Sequence, residues 1–163
     1  MGHLVPARLP IDLPGDGHIW QVITQWYQQD EDVTGVSPPI AFIVVGEATR
    51  LHLHRVDPSD LDTSVEVGQY WVADVDRGTW HHFTAEVYWA LEGGSISVRH
   101  NDDALRTWDG IQTLFPLRSQ PRVAGTAYPK MGSYRARIPS PGNFEIHHDE
   151  VQRLSRPDDG VTC

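Results

Sequence analysis

Alternation of apolar and polar side chains is the sequence feature that most constrains the fold. In the segment "TWHHFTAEVYWAL", residues 79–91, one set of alternate positions holds His81, Phe83, Ala85, Val87 and Trp89. The other set holds Trp80, His82, Thr84, Glu86 and Tyr88. Successive side chains of a β-strand point to opposite faces of its sheet, so the segment predicts a long strand with one buried face.

The same period recurs along the chain. "HIWQVITQWYQQ" predicts one face with Trp20, Val22, Thr24 and Trp26, and an opposite face with Ile19, Gln21, Ile23, Gln25 and Tyr27. "TRLHLHRV" sets Leu51 and Leu53 against His52 and His54. The chain's 14 glycines and 12 prolines are spread as turn signals, including a hairpin at Glu92-Gly93-Gly94. Only 57–61 and 112–117 suggest helical turns, so the predicted fold is all-β, an antiparallel β-sandwich or jelly roll.

The chain length and the even spread of glycine and proline predict one folded domain. At 163 residues the chain is long enough to bury a core without disulfides. We predict a jelly-roll domain over 15–155 and a mobile tail over 156–163. Prolines at positions 6, 10 and 14 predict that residues 1–14 form an extended arm rather than a central strand, because proline cannot donate to a β-ladder.

Net charge and hydropathy argue against nucleic acid and membranes as partners. A net charge of −9 opposes attraction to phosphate backbones, so nucleic acid is not expected as a partner. No apolar run is long enough to span a membrane, and "MGHLVPARLP" lacks the apolar segment and cleavage site of a secretory signal. The single cysteine, Cys163, allows no internal disulfide and either is free or pairs with another chain.

Histidines and acidic turns raise the question of a metal. Adjacent histidines in a strand point to opposite faces and cannot chelate as a pair, whereas His52 and His54 share a face. The sequence shows no third ligand beside them, so we interpret them as surface histidines, with a zinc site built on this pair as the alternative. "HNDDA" and "RPDDG" could hold Ca²⁺ but lack the ligand spacing of a dedicated loop. We therefore predict no metal and no cofactor, with Ca²⁺ as a weak alternative.

The chain's single lysine lies in "AYPKMGSYRA", residues 127–136. In a strand, Lys130, Gly132 and Tyr134 form one row, and the small glycine leaves room for a ligand along it. Gln25 and Tyr27 make a similar polar pair on another strand. These residues either line a groove or are half-buried tyrosines beside an exposed edge lysine.

A family resemblance favours the groove. "YPKMGSYRA", "FEIHHDEVQRL", "GTWHHFTAEVYWALEGGSISVRHND" and "WQVITQWYQQ" with "SPPIAFIVVGEATRLHL" together resemble the heparin lyase I-like polysaccharide lyases, which are related to glucuronan and alginate lyases. The similarity runs from about residue 10 to residue 154. It implies a concanavalin-like jelly roll that acts on uronic-acid polysaccharides by β-elimination.

The resemblance also implies roles for individual residues. Tyr134 would act as base and acid, Lys130 would hold the phenolate or the substrate carboxylate, and Gln25 would hydrogen-bond that carboxylate. Tyr27 stands where the family's Gln-x-His motif has histidine, and it is included among the candidate catalytic residues. The remaining candidates for substrate binding are two tryptophans able to stack on sugar rings and two arginines, namely Trp80, Trp108, Arg99 and Arg135.

Two departures from the family pattern shape the functional prediction. The histidine is replaced by Tyr27, and the chain starts after strands that normally open the domain. We therefore predict a carbohydrate-binding or structural jelly-roll module derived from a polysaccharide lyase. It would work as an oligomer or in a larger assembly, such as a phage tail or another virion component. The alternative is an active lyase that cleaves a uronic-acid glycan.

Overall fold

Eleven strands and no helix make up the described part of the chain, which comprises residues 2–8, 20–28, 32, 37–57, 60–76, 78–135, 147–148 and 152–154 of a computed structural model. The strands are β1 (Gly2–Arg8), β2 (Trp20–Gln28), β3 (Ile40–Val45), β4 (Ala48–Asp57), β5 (Asp60–Asp74), β6 (Trp80–Tyr88), β7 (Gly94–His100), β8 (Arg106–Ile111), β9 (Ala127–Arg135), β10 (His147–His148) and β11 (Gln152–Leu154). The described residues form no helix that is long and apolar enough to cross a membrane.

The strands form two antiparallel sheets that pack as a sandwich. One sheet has the order β10-β1-β6-β7-β8, with β11 also paired to β1, and the other has the order β5-β4-β3-β2-β9. Both sheets contribute to one apolar core, in which Phe42 packs against Phe83 with ring centroids 5.9 Å apart. The predicted all-β antiparallel sandwich is confirmed.

Strands β6 and β7 follow the predicted alternation. His81, Phe83, Ala85 and Val87 are buried, while the residues between them face outward. The buried His81 ring is paired with polar partners: Nδ1 lies 2.9 Å from Nε2 of His100, and Nε2 lies 2.8 Å from a backbone carbonyl oxygen. Hydrogen bonding of this kind makes a buried imidazole tolerable in an otherwise apolar layer.

Strand β2 departs from the predicted alternation. Ile23 and Thr24 are both buried, because the register against β3 shifts between Val22 and Thr24. Beyond this β-bulge Trp26 faces the core, whereas Gln25 and Tyr27 remain together on the opposite face. The prediction that Val22 shares a face with Trp26 is therefore wrong, and the prediction that Gln25 and Tyr27 share one is confirmed.

The first residues of the chain belong to a sheet. β1 pairs with β6 along its whole length and places Pro6 opposite His82. On its other side β1 pairs with β11 through residues 2–4 and with β10 through residues 7–8, and Pro6 lies between these two described pairings. The prediction of an arm outside the sheet is wrong for residues 2–8. The rest of that arm and the tail over 156–163 lie outside the described residues.

Neither predicted helical turn forms. Residue 57 ends β4 and residue 60 begins β5, while 112–117 contains no helix and takes part in an isolated bridge between Pro116 and Ala124. Phe115 of this segment is fully buried in a small second cluster with Val56. The buried amide of Gln28 fixes the segment, since its Nε2 donates to the Phe115 carbonyl at 3.2 Å and its Oε1 accepts from the Phe115 N–H at 2.5 Å.

Candidate functional site

Polar side chains collect on the outer face of the five-stranded sheet, meaning the side turned away from the sandwich core. Cross-strand register arranges this face in rows that run from β9 to β5. The central row consists of Lys130, Gln25, Ala41, His52 and Gln69. A second row, on one side of it, consists of the backbone positions Tyr134, Val22, Ile43, Arg50 and Trp71. On the other side, Tyr128 is paired with Tyr27, and His54 is paired with Glu66.

The single lysine lies at the centre of the β2–β9 pair. Lys130 is the direct register partner of Gln25, and Tyr27 is the partner of Tyr128. The Lys130 Nζ atom lies 3.9 Å from the Tyr27 ring centroid and 5.6 Å from that of Tyr128. The two rings meet edge to face at 6.1 Å. Cation–π attraction thus holds an exposed ammonium over two aromatic rings, beside an amide.

The backbone of β9 brings Tyr134 next to this group. Tyr134 pairs with Val22, in the row adjacent to that of Lys130. Two residues of β9, Gly132 and Ser133, stand opposite one residue of β2 at this point, and Gly132 has φ of +149°. Gln25, Tyr27, Lys130 and the Tyr134 backbone thus lie on two paired strands of one sheet; the Tyr134 side chain lies outside the described atoms.

Strands β4 and β5 extend the outer face beyond the predicted residues. Arg50 Nη1 donates to Gln69 Oε1 at 3.4 Å, and Gln69 Nε2 donates to Glu66 Oε2 at 3.2 Å. Nδ1 of His52 lies 3.4 Å from the same Glu66 oxygen. The histidines were noticed in the sequence, but Arg50, Glu66 and Gln69 were missed. Alternation along "TRLHLHRV" could have identified Arg50, whereas irregular register hides the two residues of β5.

Burial sets the protonation of the outer-face histidines. Loss of hydration lowers the pKa of His52 and of His54 from the ordinary value of 6.5, and the Glu66 carboxylate opposes this shift in both. Burial likewise lowers the pKa of His148, against a raising contribution from the Gly132 backbone. The imidazoles of His52 and His54 are therefore uncharged at neutral pH, so the contact between His52 and Glu66 is not a pair of opposite charges at that pH.

The predicted substrate-binding residues do not gather at this group. Trp80 and Arg99 are exposed on the outer side of the six-stranded sheet, at the opposite surface of the sandwich. Trp108 is half-buried against the core and lies 5.7 Å from the Tyr70 ring. Arg135 continues β9 opposite a core-facing residue, and its side chain lies outside the described atoms. The sequence could not separate the two sheets, because outward positions of both show the same pattern.

Trp71 is an exposed aromatic residue that the sequence analysis missed. It lies on β5 in register with Arg50, and the Arg106 guanidinium stacks on its ring at 4.2 Å. Its indole N–H donates to Asp74 at 2.9 Å. The outer face therefore has aromatic rings at both lateral edges and amides and cations between them.

Comparison with known proteins identifies the class. Residues 5–152 match the polysaccharide lyase family, and the chain belongs to this family. No curated protein matches the sequence significantly. The family match and the fold place the chain among the jelly-roll polysaccharide lyases. They do not assign it to the heparin lyase I-like branch that the sequence resembles.

Solved structures share the fold at low sequence identity. An endo-β-1,4-glucuronan lyase from the fungus Trichoderma reesei is 13% identical with a TM-score of 0.69, and the alignment covers 92% of this chain and 66% of that protein. Alginate lyase A1-II′, a member of polysaccharide lyase family 7, is 13% identical with a TM-score of 0.54, covering 90% and 61%. A substituted form of alginate lyase A1-II′ bound to substrate is 10% identical with a TM-score of 0.53, covering 94% and 62%. This chain thus spans about two thirds of each.

Proposed function

We propose that the chain is a carbohydrate-binding jelly-roll module that holds a uronic-acid polysaccharide across the outer face of the five-stranded sheet. One observation carries this proposal: the Lys130 ammonium is held above two tyrosine rings and directly opposite Gln25. The family and the glucuronan and alginate lyases of similar fold support the choice of a polysaccharide as ligand.

The outer face matches the chemistry of an acidic sugar. A uronate carries a carboxylate that an ammonium or guanidinium can bind, hydroxyl groups that amides can bind, and apolar C–H faces that stack on aromatic rings. Lys130 and Arg50 provide cations, Gln25 and Gln69 provide amides, and Trp71 provides an exposed ring. These groups lie on one sheet face, from β9 to β5, although the chain as a whole has a net charge of −9.

Calorimetric titration with polyglucuronate and alginate tests binding, with a neutral glucan as the control ligand. A charge-assisted hydrogen bond contributes about 1.5–3 kcal/mol, so Lys130→Met is expected to weaken binding by roughly 10- to 100-fold. Arg99→Met is the matched control, because it removes an exposed cation from the opposite sheet. Equal affinities of the two variants, or equal binding of the neutral glucan, would contradict the proposal.

Cleavage of the bound glycan is the second candidate function, and the Tyr134 backbone position beside the Lys130–Gln25 pair favours it. The Tyr134 phenolate would take the proton α to the carboxylate while Lys130 and Gln25 stabilise the negative charge that develops on that carboxylate. A carbon–carbon double bond then forms as the bond to the 4-linked sugar oxygen breaks. The tyrosine finally returns the proton to that leaving oxygen.

Ultraviolet absorbance of the unsaturated product separates cleavage from binding. Tyr134→Phe is expected to lower the cleavage rate by about 10²–10⁴-fold, the usual contribution of a general acid–base, while glycan binding persists. Tyr88→Phe, at an exposed tyrosine of the opposite sheet, is the matched control and is expected to leave the rate unchanged. Absence of product from every uronic-acid glycan would exclude cleavage and leave the binding proposal intact.

We also propose that the module works in a larger assembly, such as a virion component. β5 is an edge strand of 15 residues that pairs only with β4 among the described strands. Val65 and Val67 on it are 40% and 43% exposed. Long apolar edges tend to pair with another chain. Light scattering on the wild type and on Val67→Lys tests this: a wild-type monomer at all concentrations would contradict it.

A further inference from the structure

Three side chains with metal-binding atoms converge on the outer face at the β4–β5 pair. They are His52, His54 and Glu66, and each offers one ligand atom such that all three atoms lie within 4.8 Å of one another. We propose that these three residues bind a divalent transition-metal ion of the zinc type. Two histidines and one carboxylate, with a further position open, are a donor set that such ions bind.

The sheet itself positions the three ligands. His52 and His54 are two residues apart on β4 and therefore project from the same face. Glu66 is the register partner of His54 on β5, so it lies directly beside that histidine. The Gln69 amide donates to Glu66 at 3.2 Å and orients the carboxylate, in the manner of an outer-shell partner. Because Glu66 is exposed, its carboxylate can rotate toward the imidazoles to reach ligand distances of about 2 Å from a metal.

The unpaired ring nitrogens support a bound ion more than a simple ion pair. Among the described residues, Nε2 of His52 and Nδ1 of His54 are buried without a hydrogen-bond partner. Leaving such a group unpaired costs about 1–3 kcal/mol, and metal coordination would satisfy it. The contact of 3.4 Å between His52 and Glu66 is made by Nδ1 of His52, and it therefore leaves both of these nitrogens unused.

A metal here would share the outer face with the proposed glycan groove. His52 belongs to the same cross-strand row as Gln25 and Lys130, and it is separated from Gln25 by one strand. Two strand spacings amount to about 10 Å, so the ion would place positive charge beside the path of a polyanionic ligand. This consequence rests on the proposed function, whereas metal binding itself does not.

Titration of the untagged, chelator-treated chain with ZnCl₂, followed by calorimetry, tests the site, and Co²⁺ absorption reports its coordination geometry. We expect one zinc ion per chain and at least a 10-fold loss of affinity in His54→Ala and in Glu66→Gln. Gln69→Ala is expected to cost roughly 10-fold, as outer-shell changes do. His82→Ala, which removes an exposed histidine from the other sheet, is the control and should bind as the wild type does.

Each contrary result identifies a specific failure. No zinc binding by the wild type, or unchanged affinity in both ligand variants, would overturn the site. Loss of affinity in His82→Ala would place the ion elsewhere. Competition by an equal concentration of Ca²⁺ would refute the zinc-type assignment, because Ca²⁺ prefers oxygen ligands. Urea unfolding of each variant confirms that it is folded, and glycan binding that fails while zinc binding persists would reject only the proposed function.

Discussion

Replacing Gly132 with alanine tests whether the backbone of β9 fixes the spacing between Lys130 and Tyr134. Gly132 has φ of +149°, and a Cβ built there meets no heavy atom within 4 Å. The cost is therefore conformational rather than steric, and backbone strain of this kind amounts to about 1–3 kcal/mol. A one-residue register shift would relieve the strain and move Tyr134 away from Val22. We expect Gly132→Ala to lower the free energy of unfolding by about 1–3 kcal/mol and to weaken binding of uronic-acid glycans.

Gly46→Ala is the matched control for this experiment. Gly46 has φ of +62° in the turn between β3 and β4, and it also has open space around an added Cβ. Its strain of about 1–2 kcal/mol should reduce stability without affecting glycan affinity, because the turn lies far along the strand from Lys130. Urea unfolding gives the stability and calorimetry gives the affinity. Unchanged stability of Gly132→Ala would refute the strain argument, and equal affinity losses in the two variants would refute the register argument.

Three further predictions concern the fold and the outer face. Gln28→Ala leaves the buried Phe115 N–H without its partner, while the Phe115 C=O still accepts from the Gly125 N–H, and should lower the free energy of unfolding in urea by about 1–3 kcal/mol. Burial holds the pKa of His52 below 6.5 in the folded chain, so near that pH the unfolded chain binds more protons than the folded chain does. The free energy of unfolding should therefore fall as the pH drops through 6.5 toward the folded-state pKa of His52. Thermal unfolding with chelator present measures this, and His52→Gln should reduce the slope. Tyr27→Phe keeps the ring beneath Lys130 and should retain glycan affinity in calorimetry, whereas Tyr27→Leu should lose roughly 2- to 5-fold.

Each of these predictions has its own control. Gln112→Ala removes a single, part-buried hydrogen bond, from the Val56 N–H at 2.9 Å, and should cost less than Gln28→Ala, because the Gln28 amide makes two buried bonds. Wild-type stability that stays constant below pH 6.5 would contradict the assigned histidine shift. Equal losses in Tyr27→Phe and Tyr27→Leu would show that the hydroxyl group, and not the ring, matters for binding.

Local patterns predicted much of each strand. The alternation in β4 correctly set Leu51 and Leu53 toward the core and His52 and His54 outward, because period two follows directly from strand geometry. The glycines before β7 likewise marked a real hairpin, in which Gly93 has φ of +68°. These features depend on neighbours in sequence, so the sequence contains the information they require.

The same local rules failed where partners from elsewhere in the chain intervened. The bulge at Ile23 appears only when β2 is aligned with β3, and it reverses the faces predicted for Val22. Pro6 lies within a sheet because β1 pairs with β6 on one side and with β10 and β11 on the other. Neither feature has a signal within its own segment.

Strand periodicity, the all-β class and the grouping of polar residues on one face of a single strand follow from the order of residues along the chain. Tertiary structure decided which of those residues meet. Register placed Lys130 against Gln25 and Glu66 beside His54, while it left Trp80 and Arg99 on the opposite surface. The physical reason is that each side chain's direction follows from its own backbone, whereas proximity between strands depends on pairing and packing across the whole sandwich.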